Sequence, residues 1–204
     1  MAFNPSDIES IVRKIVSEMN GAGEHKHECC GGHGADCKCG KHSAGIPKTA
    51  KVAMLTKTKT IEIKEFPIPE LQDDDILVKV EGAGICGTDV HEWRADPFGL
   101  MPVVLGHEGT GEIIALGKNI KTDTSGKPIK VGDKVVTSVI SCGECNICRN
   151  HPANTNLCDK QGVFGLIPHS DKNPLTGWFA THLLISGKGS TYFVVNDLDL
   201  YERM

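Results

Sequence analysis

The sequence predicts a mainly β fold with a few short helices, a distorted β-barrel or sandwich carried behind an amphipathic helix and a flexible linker. Three observations predict it. From Lys51 onward apolar residues recur with period two, as in Ile61 and Ile63, then Ile76, Val78 and Val80, then Ile113 and its neighbours, then Val135 and Val136. Turn signals separate these runs, at Asp73 to Asp75, Gly117 to Asn119, Ser125-Gly126 and Gly132-Asp133. Before Lys51 the composition changes to Gly, His, Lys and Cys with almost no large apolar side chains.

Residues 1–20 read as a helix. Ser6 and Glu9 form a capping box, Gly21 can end the helix, and Ile8, Ile11, Val12, Ile15, Val16 and Met19 make one narrow apolar stripe. Such a stripe needs a surface to bury it, and the next segment offers none. Residues 21–49 are expected to be a flexible linker, because so few apolar groups cannot offset the entropy of ordering it. Residues 50–204 are the expected folded domain, and 39% hydrophobic residues overall suffice for a core.

A net charge of -4 and 5% aromatics give neither a basic footprint nor stacking platforms, so nucleic acid is not an expected partner. No apolar run is long enough for a membrane span and no secretory signal opens the chain, so a cytoplasmic protein is expected. The cysteines fall in two tight clusters and one isolated residue, nine in all, an odd number that argues for metal ligation over a disulfide framework.

Cys142-Gly-Glu-Cys145-Asn-Ile-Cys148 with Cys158 returning later offers four thiolates to one tetrahedral Zn²⁺, the closed arrangement of a structural site. An iron–sulfur cluster is the chemical rival. Gly84-Ile-Cys86-Gly-Thr88-Asp-Val-His91 and Gly106-His107-Glu108 supply one thiolate, one imidazole and one carboxylate. Brought together by a β fold, these would leave a zinc position open to water or substrate. His25, His27, Cys29, Cys30, His33, Cys37, Cys39 and His42 put further soft donors on the linker, suited to metal buffering or to adventitious binding.

The succession GICGTDVH, GHEGTGEI, VGDKVV and CGECNIC with a returning cysteine resembles the zinc-dependent medium-chain alcohol dehydrogenases, over about Lys51 to the C-terminus. The resemblance implies a GroES-like, partly open β-barrel. It implies that Cys86 and His107 are catalytic-zinc ligands and that Glu108 is the exchangeable carboxylate beside the metal. It further implies that Thr88 takes the alcohol proton, that His91 relays it to solvent, and that Cys142, Cys145, Cys148 and Cys158 hold structural zinc. A small alcohol would be the substrate and NAD(P) the hydride acceptor.

The stretch Arg149 to Leu157 is longer than the family commonly has, which loop entropy tolerates. The family's Rossmann domain, which binds NAD(P), is not found in these residues. The string Gly82-Ala-Gly84-Ile-Cys-Gly87 overlaps the metal motif and reads as coincidence. The expected function is therefore the zinc-binding catalytic domain of an alcohol or polyol dehydrogenase, inactive without a Rossmann domain or partner chain. A non-catalytic zinc-binding assembly module and a metal-buffering protein are the alternatives. Helix and linker together resemble the encapsulation peptides of bacterial microcompartments, which implies a shell or cargo protein as partner and a place inside such a compartment. Trp93 and Phe98 follow the catalytic motif closely enough to line a pocket or to pack.

Overall fold

The computed structural model describes residues 46–185 and 189–204; the expected helix over 1–20 and the linker as far as residue 45 lie outside the described residues. One compact unit runs from Lys48 to Met204. Its strands are β1 (Thr49–Lys57), β2 (Thr60–Pro67), β3 (Ile76–Gly84), β4 (Val103–Val104), β5 (Glu108–Leu116), β6 (Lys134–Ile140), β7 (Gly162–Val163), β8 (His182–Ile185) and β9 (Ser190–Val194). The helices are short: α1 (Gly87–Ala95), α2 (Asn146–Asn150), a 3₁₀ helix (Pro152–Leu157) and α3 (Leu200–Arg203). This is the mainly β class that the alternation predicts.

Two sheets form, β2-β1-β4 and β7-β6-β5-β3-β8, with β9 also paired to β6. Every strand pairing is antiparallel. The second sheet is buried on both faces where β3 crosses it. Ile76 and Val78 face a core with Ile113, Val135, Trp178 and Leu183, whereas Leu77 between them faces a second core with Val52, Met54, Leu175 and Leu184. Period two explains that split. β5 breaks it: Ile113 belongs to the first core and Ala115 to the second, because the β3–β5 register slips one residue between Leu77 and Val78. A second slip lies between Val80 and Gly82. Bulges increase local twist, and these two curl the sheet into a half-closed barrel.

The segment Gly177–Thr181 straps the two sheets together. Trp178 and Phe179 donate their amides to the Gly106 and Leu105 carbonyls, the Ala53 amide donates to Phe179, and Val80 donates to Thr181. Trp178 is 1% exposed and its indole N–H donates to Thr137 Oγ1 at 3.0 Å, so its one polar atom is satisfied inside the core. Gly109 makes room for it: a Cβ there would lie 2.3 Å from the indole.

The loop between β5 and β6 is organised by Asp123. Its Oδ1 accepts from the Ser125 amide (2.9 Å), the Ser125 hydroxyl (2.7 Å) and the Lys127 amide (2.9 Å), and its Oδ2 accepts from the Val194 amide at 2.9 Å. Burial works against the charged form, but these bonds outweigh it and hold the carboxyl below the usual carboxylate range. A carboxyl depressed in the folded state stabilises it above the unfolded pKa, and that contribution is lost as pH falls through the folded value. Asp123→Asn is therefore expected to cost about 2 kcal/mol at neutral pH. The gap in thermal midpoint between variant and wild type should close as melts are repeated at falling pH through the acid range; a gap independent of pH would contradict this assignment.

Candidate metal centres

The first centre hangs from β6. Cys142 follows the strand by two residues, Gly143 turns the chain with φ +71, and Cys145 caps α2, its Sγ accepting from the Cys148 amide at 3.5 Å. The 3₁₀ helix, kinked at Asn154, takes up the longer return and delivers Cys158, which is buried. β7 then pairs back onto β6, Ile140 opposite Gly162, closing the lobe at its base. The Lys160 ammonium meets Glu144 at 2.7 Å across the loop.

The four sulfurs lie within 4.8 Å of one another. Cys145 to Cys148 is 3.5 Å, and Cys142 to Cys148 and Cys145 to Cys158 are each 3.9 Å. These are far from a disulfide and close to the edge of about 3.8 Å that a tetrahedron of thiolates around zinc requires. Backbone amides supply the charge compensation. Cys142 Sγ accepts from Glu144 (3.5 Å) and Cys145 (3.3 Å), and Cys158 Sγ accepts from Cys142 (3.3 Å). The Cys148 amide, with that of Asp159, lowers the Cys145 thiol to about 6. Burial and the neighbouring sulfurs push Cys148 up to about 11. Four thiols this close cannot all ionise unless a cation joins them, so the donor set fits a divalent metal.

The second centre joins β3, α1 and β5. Cys86 is the N-cap of α1, with its Sγ accepting from the Thr88 amide at 3.3 Å. Gly84 lies opposite Glu108 in the β3–β5 register, and a Cβ on it would come within 3.1 Å of the Glu108 carboxylate. Gly106 holds φ +93 with no room for a Cβ beside Phe179, and this turn presents His107. The donor atoms of Cys86, His107 and Glu108 lie within 4.8 Å of one another, Glu108 being the exposed member. A soft, a borderline and a hard donor with one side open suit zinc.

Sequence reasoning passed over the residue that ties this centre together. Asp89, 3% exposed, accepts from the Cys86 amide (2.9 Å) and the Gly106 amide (3.1 Å), and its Oδ1 lies 3.5 Å from His107 Nδ1. That nitrogen is buried without a hydrogen bond, and a metal-ligating imidazole usually turns its other nitrogen to such a carboxylate. Burial raises the Asp89 carboxyl. The signal was present as a capping box, Cys86 at N-cap and Asp89 at N3, hidden because Cys is an unusual cap.

Thr88 is half-buried in the first turn of α1, and His91 lies three residues on, exposed. Trp93 packs against Leu55, Val103 and Leu105, whereas Phe98 is 63% exposed. Gly82, Gly84 and Gly87 do span a strand and the start of a helix, but the strand is antiparallel to both neighbours, so no dinucleotide-binding βαβ unit is built around them.

The family model of the alcohol dehydrogenase GroES-like domain matches residues 72–195. The chain belongs to this family. An L-galactonate-5-dehydrogenase of Escherichia coli (strain K12) is 36% identical over 138 residues, 67% of this chain and 36% of the relative. A sorbitol dehydrogenase of Bacillus subtilis (strain 168) is 36% identical over 118 residues, 55% of this chain and 31% of the relative. The chain thus spans about a third of the length of these relatives. Among solved structures, an alcohol dehydrogenase from Thermotoga maritima superposes with TM-score 0.66 at 32% identity, over 74% of this chain and 42% of that one. The D-arabinose dehydrogenase from Sulfolobus solfataricus gives TM-score 0.58 at 28% identity, over 74% and 42%. The curled half-barrel is therefore the GroES-like domain of zinc-type alcohol dehydrogenases. No helix among the described residues is long and apolar enough to cross a membrane.

Proposed function

We propose that this chain is the zinc-binding catalytic portion of an NAD(P)-dependent alcohol or polyol dehydrogenase, and that hydride transfer requires a nucleotide-binding Rossmann domain or partner chain. The observation that carries the reading is the open trio Cys86, His107 and Glu108, in a chain whose relatives are dehydrogenases of alcohols and polyols. Zinc held there would supply Lewis acidity, lowering the pKa of an alcohol in the open position. Thr88, in the first turn of α1, would take the alcohol proton at its Oγ1, and exposed His91 would pass it to solvent. Asp89 keeps Cys86 and His107 in register. Cys142, Cys145, Cys148 and Cys158 would hold a second zinc with no open position and a structural role. For residues 1–20 we propose docking to a microcompartment shell or cargo protein, in a protein of the cytoplasm.

Metal content tests the central claim. In the full chain, Cys86→Ser and Cys145→Ser should each remove about one zinc by elemental analysis, and the double variant about two. If Cys86→Ser leaves the zinc content unchanged, the catalytic reading fails and a non-catalytic zinc-binding assembly module takes its place.

A further inference from the structure

The outer strand of a sheet carries a row of unpaired N–H and C=O groups, and unless something covers them they template another strand. Most edges of this fold are covered by the chain itself. Along β9 the Val194 amide donates to the Asp123 carboxylate and the Tyr192 carbonyl accepts from the Thr124 amide. On β8 the Leu184 amide donates to the Leu175 carbonyl, and on β4 Val103 is bridged to Pro168. β2 differs: it ends the order β2-β1-β4 and is 8 residues long.

Which groups of β2 face outward follows from the strand behind it. The Ala53 amide donates to the Phe179 carbonyl and the Lys51 carbonyl accepts from the Thr181 amide, so Lys51 and Ala53 turn their backbone groups away from β2. Their register partners on β2 are Glu65 and Ile63, and Leu55, in phase with them, lies opposite Ile61. A strand residue points its N–H and C=O to the same side, so Ile61, Ile63 and Glu65 aim theirs at the open edge. No group among the described residues meets them there. Pro67, at the end of β2, stops the row because it has no N–H.

We propose that β2 is a self-association surface, on which a second copy of this chain pairs antiparallel about a twofold axis at Ile63. In that register Ile63 exchanges both backbone bonds with Ile63 of the second copy, and Ile61 does the same with Glu65 in each direction. Charge selects this occupant. On one face Glu62 meets Lys64 and Lys64 meets Glu62, while on the other the two Ile63 side chains meet at the axis. Glu62 is exposed at this edge, and its carboxylate lies 3.5 Å from the Lys64 ammonium within the strand, so both charges are already at the place where the second copy would present their complements. A slip of one residue sets Glu62 against Glu65 in one direction and against Ile63 in the other, so the pattern also fixes the register. A single strand edge is small beside the roughly 1,000 Å² of a stable interface, so the association is weak and concentration-dependent.

Sedimentation of the full chain from micromolar to near-millimolar concentration, with amide hydrogen exchange at both ends of that range, tests this. Wild type should show a reversible monomer–dimer equilibrium. The amides of Ile61, Ile63 and Glu65 should exchange freely when dilute and at least about tenfold more slowly when concentrated. Glu62→Lys sets like charges opposite one another and should weaken the dimer at least about tenfold; adding Lys64→Glu restores opposite charges in the same register and should bring it back. Both variants lose the bond from the Thr56 hydroxyl to Glu62, so recovery in the double variant isolates the charge match across the axis. Thermal melts at low concentration check that each variant is folded. A wild type that stays monomeric throughout, a dimer that Glu62→Lys leaves intact or that Lys64→Glu fails to rescue, or one that protects other amides instead, would overturn the inference.

Discussion

Replacing Cys145 by Ser should open the lobe between Cys142 and Cys158 to proteases, with cleavage at least about a hundredfold faster than in wild type, while the barrel stays folded. Apart from the zinc proposed for it, the lobe has little to hold it. Among its described side chains Cys158 alone is buried, Leu157 is 59% exposed, and its base is held by the short β6–β7 pairing and by Ser141, which donates its amide to the Gly189 carbonyl at 2.9 Å. Structural zinc sites contribute folding free energy outright, on the order of 10 kcal/mol in small zinc domains, so losing the proposed ion would cost far more than any one contact in the lobe. Cys145 is a telling choice because its thiol is the one that backbone amides hold down at about 6, with its sulfur 3.5 Å from Cys148 and 3.9 Å from Cys158. None of the lobe's cysteines packs into the three apolar cores, so the loss should remain local. Limited proteolysis mapped by mass, beside a melt followed by tryptophan fluorescence from Trp93 and Trp178, checks both halves. An uncleaved lobe in a variant that has lost its zinc would show that the 3₁₀ helix and the Lys160–Glu144 pair hold it without metal.

The two centres were legible in the sequence to different degrees, for a physical reason. Cys142, Cys145 and Cys148 come together within one turn of chain, so spacing alone nearly fixes their geometry. Cys86 and His107 meet only because β3 and β5 pair with Gly84 opposite Glu108, a register that no local pattern specifies. The strands followed the same rule. β2 and β3 announced themselves by alternation, at Ile61 and Ile63 and at Ile76, Val78 and Val80, whereas β4 and β7, two residues each, carry too little pattern to be read. The slip that sends Ile113 and Ala115 to different cores is also invisible to a period-two reading, which predicts the same face for both. α1 was hidden under its own motif. Its inward face is acidic, so the apolar stripe that marks an amphipathic helix is missing. The expectations for residues 1–45 lie beyond the described residues.

Thr88→Val should leave both metal equivalents in place and lower hydride transfer by about 10²–10⁴-fold when the nucleotide-binding part is supplied. The substitution keeps shape and removes only the hydroxyl. The link from Thr88 to the metal centre is its backbone amide, which donates to Cys86 Sγ and is untouched, so metal binding is the internal control. If the hydroxyl takes the alcohol proton, its loss falls on the chemical step and kcat drops with KM little changed. His91 stands differently. It is exposed, so solvent can replace it in part. His91→Ala should cost about tenfold, and added imidazole buffer should restore much of it. The two variants separate a group that touches the reacting proton from one that only hands it on. A Thr88→Val enzyme within about threefold of wild type would leave proton removal to another group, with exposed Glu108 beside the metal donors the next to test.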